Sequence, residues 1–282
     1  MREVFNFQVG ELPFCYLGVP LISTKLNASH CKPLVDRITA RASSWTIRFL
    51  SFVGRLQLIQ SILCSIHSYW NSLFILPKKV LQQVEQILRK FLWKGPNLES
   101  GGAKVSWEDI SRPYKEGGLG IKKLYDWNVA CMSKHLWCLS QPLEFSNWAA
   151  WARANLLKGR SLWDVPIPSD SSWTWRKILQ LRSIYRPFIQ HCVGDGQNIS
   201  LWFDNWLPIG PIHLLMGNRV IYDAGIPRTA TVASIIHRGT WRWPMANSTE
   251  LLALKEVTAG LSFLPNGNPD SIKWLLSSSG PY

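Results

Sequence analysis

Residues 51–93 read SFVGRLQLIQSILCSIHSYWNSLFILPKKVLQQVEQILRKFLW, and their periodicity decides the fold class. Phe52, Leu56, Ile59, Leu63, Ile66, Trp70 and Leu73 recur at three- and four-residue steps, which predicts one buried face on a long amphipathic helix. Pro77 ends that helix and suits the first turn of another, because the N–H it lacks would have no intrahelical partner there. The second helix repeats the pattern at Val80, Val84, Ile87 and Phe91. Two such stripes with so short a joint are expected to pack as an antiparallel pair.

Charge gathers around that pair. The chain of 282 residues carries a net charge of +13, and the excess is uneven. From Lys25 to Lys94, eleven basic residues are opposed only by Asp36 and Glu85. A polyanion is the natural partner, with nucleic acid ahead of a membrane surface. The plainer reading, solubilising charge on helix faces, fits less well because such faces usually mix both signs. Ahead of the pair, a helix over about 31–48 is expected, capped by Ser29, with Leu34, Ile38, Ala42 and Trp45 inward. Arg37, Arg41 and Arg48 then fall together on the flank of its apolar stripe.

Length and a hydrophobic share of 46% predict a folded chain of one large or two modest domains. Arg2, Glu3 and Glu11 interrupt the first twenty residues, so no signal peptide is visible. The uncharged run from Leu56 to Pro77 carries too many amide and hydroxyl side chains off its stripe for a membrane span. Six scattered cysteines without a CxxC pair read as reduced thiols of an intracellular protein. Residues 11–24 read as an extended connector, and Gly117–Gly118–Leu119–Gly120 as a tight turn, since it lacks phosphate-loop spacing.

Further helices are expected from Asp126 to about Ser140, over 144–158, at 231–237 and at 248–258. Another carries Trp175, Ile178, Leu179 and Ile184. Gly194–Asp195–Gly196 reads as a β-hairpin turn. Tryptophans thicken after residue 148; interleaved with Arg176, Arg182 and Arg186 they have the chemistry to stack on bases, though such rings are more often core. The final PDSIKWLLSSSGPY is apolar with nothing after it to pair with, which suggests an interrupted domain.

Polymerase or nuclease chemistry needs carboxylates converging on divalent metals. The one adjacent acidic pair, Glu108–Asp109, reads instead as a helix start. Cys131, His135 and Cys138 would share one helical face, where a packed face is a better account than a zinc site lacking its fourth ligand. No catalytic residue and no metal ligand is assigned.

The ordered series Tyr16–Leu21 (YLGVPL), Gly54–Leu63 (GRLQLIQSIL), Phe74–Pro77, Phe91–Trp93, Lys104–Trp107, Glu116–Ile121, Trp127–Ala130, Val193–Gly196 and Trp202–Trp206 (WFDNW) resembles the C-terminal part of plant LINE-type (non-LTR) retrotransposon reverse transcriptases. Each piece is weak alone; the order and spacing carry the resemblance over about residues 11–275. It implies a mainly α fold: an extended connector (1–24), a basic helical thumb-like bundle (25–125), then a Trp-rich helical region with a small β-hairpin (126–282). The family's thumb grips template–primer duplex. Its palm, with the magnesium-binding aspartates, would precede Met1, and its zinc-binding module would begin where this chain ends.

The expectation is therefore a non-catalytic, nucleic-acid-binding piece of an RNA-directed DNA polymerase, with no cofactor of its own and the palm as its partner. RNA, DNA or an RNA–DNA hybrid would be held at the phosphates by Arg37, Arg41, Arg48, Arg55, Lys78, Lys79, Arg89 and Lys90. Competing readings are a helical scaffold for a protein partner, a polymerase in its own right, and a relic of a degenerate element. Family analogy is compatible with the nucleus; the residues name no compartment.

Overall fold

A computed structural model describes residues 12–45, 50–99, 101–141, 146–245, 248–261 and 268–276. The protein is mainly α. In chain order the elements are β1 (Phe14–Tyr16), β2 (Val19–Leu21), α1 (Lys32–Ser43), α2 (Phe52–Leu58), α3 (Cys64–Asn71), α4 (Lys78–Lys94), α5 (Trp107–Ile110), α6 (Leu124–Ser140), α7 (Asn147–Ala152), α8 (Trp173–Gln180) and α9 (Arg182–Tyr185). There follow β3 (Ile189–Cys192), α10 (Ile212–Met216), α11 (Arg219–Ala224), β4 (Ile236–His237), β5 (Thr240–Trp241), α12 (Thr249–Ala259) and β6 (Ser271–Trp274). The chain divides into two compact units, one of Met1–Lys134 with Pro168–Leu179, the other of His135–Ile167 with Gln180–Tyr282.

The first unit is built on α1, α3 and α4. Phe52 at the start of α2 packs at a tilt against Trp93 near the end of α4, ring centroids 5.4 Å apart, so the pair is antiparallel as its stripes predict. Helix α1 packs against both α3 and α4 and buries Leu34, Ile38 and Ala42. It is shorter than expected. Ser29 caps nothing; its hydroxyl donates to Asn27 Oδ1 in the preceding turn, and Cys31 holds the N-cap position.

The long helix also differs from a simple stripe. Between α2 and α3 a π-helical turn, Ile59–Leu63, winds the chain more loosely than an α-helix. Burial thereafter follows Ile59, Leu63, His67 and Asn71, four residues apart, so two polar side chains expected off the stripe enter the core. On α4 the buried face is Val80, Leu81, Val84, Leu88, Phe91 and Leu92, with Ile87 only half-covered.

The Gly-rich stretch is a packed turn. A 3₁₀ turn at Tyr114–Glu116 ends on Gly117, whose φ of +79° favours glycine. A Cβ on Gly118 would stand 2.0 Å from the Arg112 carbonyl oxygen. Gln60 of the π turn fastens this loop, its Nε2 donating to Tyr114 Oη (2.9 Å) and to the Leu119 carbonyl (2.8 Å).

In the second unit the expected hairpin at Gly194–Asp195–Gly196 is absent. Strand β3 pairs antiparallel with β6, His191 opposite Ile272, so the C-terminal apolar segment has its partner upstream. Trp274 of β6 packs on Tyr185 and Phe188, each at 5.6 Å. A small hairpin does exist, formed by β4 and β5 with Ile236 opposite Trp241. Its first strand follows a 3₁₀ turn, Val232–Ile235, which takes the place of the helix expected at 231–237. The helix expected over 144–158 is α7 followed by a π turn, Arg153–Leu157. Among the described residues, no helix is long and apolar enough to cross a membrane.

Candidate nucleic-acid interface

The basic residues singled out in the first unit lie mostly toward solvent. Arg37 and Arg41 stand one turn apart on α1, both exposed. The Arg41 guanidinium lies 5.4 Å from the centroid of Trp45, whose ring meets Phe91 of α4 at 5.1 Å. Arg89 sits 5.9 Å over Trp107, and Lys90 is half-exposed beside it. These contacts bring Arg41, Arg89 and Lys90 to the C-terminal end of α4. Arg48 lies outside the described residues.

Arg55 belongs to the same end but differs in setting. It is half-buried, its Nε is enclosed without a partner, and its Nη1 is 3.4 Å from where a Cβ would stand on Gly95, the residue that ends α4. A cation there complements the negative end of the helix dipole. Arg55 therefore has a packing role of its own.

Lys78 and Lys79 open α4, both exposed and about 15 Å along the helix axis from Arg89 and Lys90. The eight residues thus do not form one cluster. Two cations in a first helical turn oppose the dipole, at a cost of some tenths of a kcal/mol each. Among the described residues, no carboxylate stands within ion-pair distance of Arg37, Arg41, Arg55, Lys78, Lys79, Arg89 or Lys90. Glu85, half-buried on α4, has its carboxyl pushed up by burial, offset in part by a backbone hydrogen bond and by Arg89.

The Trp-rich arginines behave otherwise. Arg182 Nη1 donates to the carbonyls of Leu162 (2.7 Å) and Val165 (2.8 Å), and Arg186 donates to the Phe203 carbonyl. Arg176 Nη2 donates to the Ser169 carbonyl at 2.7 Å. Trp163, Trp175, Trp202, Trp206 and Trp243 are buried. These rings are core, and the arginines among them satisfy backbone carbonyls.

Two carboxylates, Asp204 and Asp270, line a cavity of about 310 Å³ in the second unit together with His191 among others. Asp270 Oδ1 accepts the Gly194 and Gly196 N–H groups and Oδ2 the Asn198 N–H, each at 2.8 Å. Asp204 Oδ2 accepts the Ser200 N–H at 2.6 Å, and its Oδ1 lies 3.8 Å from His191 Nε2. Asp270 thus holds the glycine loop in place, and Asp204 holds the turn that begins at Ser200. Among the described residues, no group of three or more His, Cys, Asp and Glu side chains is arranged to hold a metal ion. Of the trio on α6, His135 packs on the Trp148 ring at 4.7 Å. Buried Cys31 and half-buried Cys64 have thiols pushed up to about 11 by burial, so they are not thiolates at neutral pH.

With this geometry in hand, the chain is similar to a protein of Arabidopsis thaliana named "Putative ribonuclease H protein", 29% identical over 279 residues. The likeness is to plant proteins, and it is consistent with a retrotransposon-derived origin. The match covers 94% of this chain but 43% of that protein, so the chain spans less than half of this relative's length. An "Uncharacterized mitochondrial protein" of the same plant is 22% identical over 151 residues, 51% of this chain and 97% of its own length. No protein-family model matches the chain.

Three residues that fasten the quoted motifs to one another carried no assigned role in the sequence: Gln60, Asn128 and Asp270. Asn128 lies within the Trp127–Ala130 motif, so its place in an ordered series was the available signal. Asp270 had only its position before the last apolar run.

Proposed function

We propose that this chain is a non-catalytic nucleic-acid-binding part of a retrotransposon-derived RNA-directed DNA polymerase, gripping template–primer duplex through phosphate contacts from α1, α2 and α4. One observation carries the reading: Arg37 and Arg41 of α1 and Lys78, Lys79, Arg89 and Lys90 of α4 have no carboxylate within ion-pair distance among the described residues, whereas Arg112 and Lys123 of the same unit are paired with Asp109 and Glu108. Lys78 and Lys79 add support, because lysines against a helix N-terminus are better explained by an external anion than by the helix. The resemblance to LINE-type reverse transcriptases and the relative named for ribonuclease H favour a nucleic-acid setting. In this reading the magnesium-binding carboxylates belong to a palm domain outside this chain, which is also its protein partner.

The test is a titration with an RNA–DNA hybrid between 50 and 200 mM salt. Six phosphate contacts would weaken affinity roughly a thousandfold over that range through counterion release. Affinity that stays flat would sink the reading.

A second reading, a helical scaffold for a protein partner, is favoured by the β1–β2 hairpin. There Leu12, Phe14, Tyr16, Leu17 and Leu21 are all exposed, Leu17 by 74%. It predicts complexes that persist at high salt and no binding to the hybrid.

A further inference from the structure

Of the sixteen tryptophans, Trp151 is the one that stands mostly in solvent, 55% exposed. An exposed indole forgoes a large hydrophobic gain, so its position calls for a partner. The other tryptophan of α7, Trp148, anchors the helix on His135. Trp151, three residues further along α7, has no such ring contact among the described residues and stays exposed. Asn155 follows one turn later, its Nδ2 donating to the Trp151 carbonyl at 2.9 Å. Lys158 comes after the π turn, about 10 Å along the axis from Trp151. There the backbone turns left-handed, with φ of +51° at Lys158 and +76° at Gly159, and delivers Arg160 to the rim of the 310 Å³ cavity.

The strip itself carries only positive charge; the carboxylate that follows it, Asp164, is paired with Arg228 and also feels Arg160. Residues 146–163 contain Arg153, Lys158 and Arg160 and no Asp or Glu. Arg153 turns inward to the carbonyls of Cys138, Leu139 and Gln141 at the end of α6. Lys158 and Arg160 are exposed, and among the described residues neither has a carboxylate within ion-pair distance. An open aromatic ring followed within a few residues by exposed cations has the chemistry that takes single strands. Bases stack on the ring whatever their identity, and the cations track the backbone.

We infer that Trp151, Asn155, Lys158 and Arg160 form a contact for single-stranded nucleic acid, with one base on the Trp151 indole and neighbouring phosphates at Lys158 and Arg160. For its class of partner the inference rests on the nucleic-acid reading above. It adds a second, separate contact of a different preference: single strand here, duplex at the helical bundle.

The experiment uses the full chain and fluorescence anisotropy at fixed salt, with a twenty-nucleotide oligo(dT) and a hybrid duplex of equal length as probes. Trp151→Ala is expected to weaken oligo(dT) binding roughly tenfold. It should leave duplex affinity and the salt slope unchanged, since no charge is removed. Trp151→Phe should retain most of the affinity, and Lys158→Asn should lower the single-strand salt slope by about 0.7. No oligo(dT) binding by the wild type, equal affinity of wild type and Trp151→Ala, or equal losses on both probes would each overturn the inference. The joint variant Lys78→Ser with Lys79→Ser separates the two readings. If it leaves duplex binding intact while Trp151→Ala still costs single-strand affinity, the bundle reading fails and this one stands.

Discussion

Asn128 on α6 holds Leu76, just ahead of α4, by a 2.8 Å hydrogen bond from the Leu76 N–H to Asn128 Oδ1. Its Nδ2 donates in turn to the carbonyls of Asn71 (3.2 Å) and Phe74 (2.7 Å). One fully buried amide thus satisfies three backbone groups at the joint between the two long helices. The quoted motifs Phe74–Pro77 and Trp127–Ala130 meet here.

Replacing Asn128 by Ala leaves those three groups without partners in a dry site. Each unsatisfied group costs about 1–3 kcal/mol, so a loss of at least 3 kcal/mol is expected. Urea denaturation followed by helix content would measure it. A midpoint within error of wild type would show that the joint is held by packing alone.

Gly194→Ala tests the loop of the second unit. The new methyl would lie 2.3 Å from the Asn268 carbonyl oxygen and 2.6 Å from that of Pro269, both backbone atoms that cannot swing aside. A destabilisation of about 1–3 kcal/mol is expected, with loss of amide protection at Gly196 and Asn198, whose N–H groups rely on Asp270. Hydrogen exchange that leaves these amides protected would contradict this account.

His67 predicts a pH dependence. Burial lowers its pKa from 6.5 to about 4, helped by the charge of Lys122 and opposed by a hydrogen bond with the Leu63 carbonyl. Between those values the unfolded chain binds a proton that the folded chain refuses, so stability falls as pH drops from about 6.5 to about 4. The loss should approach about 3 kcal/mol. Comparing wild type with His67→Leu across pH 4–7 isolates it: the variant should lack this part of the slope, and parallel curves would refute it.

Arg37 and Arg55 should separate by assay. Arg37 is exposed, so Arg37→Ala is expected to lower the salt slope of hybrid binding by about 0.9 with stability within about 0.5 kcal/mol. Arg55 packs against the end of α4, so Arg55→Ala should cost about 1–2 kcal/mol of stability. Equal stability effects from the two variants would remove the distinction.

Much of the bundle could be read in advance because helical burial is periodic. Val80, Val84 and Phe91, or Leu34, Ile38 and Ala42, announce their faces by spacing alone. The π turn at Ile59–Leu63 could not be foreseen, since looser winding leaves no mark in residue type and moves His67 and Asn71 inward. The glycines of Gly194–Asp195–Gly196 signalled a turn, and Gly196 does adopt a φ of +71°. They carried no information about which strand lies beside β3.

Local spacing and charge, then, were settled by the order of residues itself: helices where apolar side chains recur, and a cationic first third of the chain. Which distant groups meet was decided only on folding. Asp270 under the glycine loop, Asn128 at the helix joint, β6 beside β3 and Trp151 left in solvent all depend on segments brought together by hydrophobic burial. That force is non-directional, so the residues it makes neighbours cannot be read from their spacing along the chain.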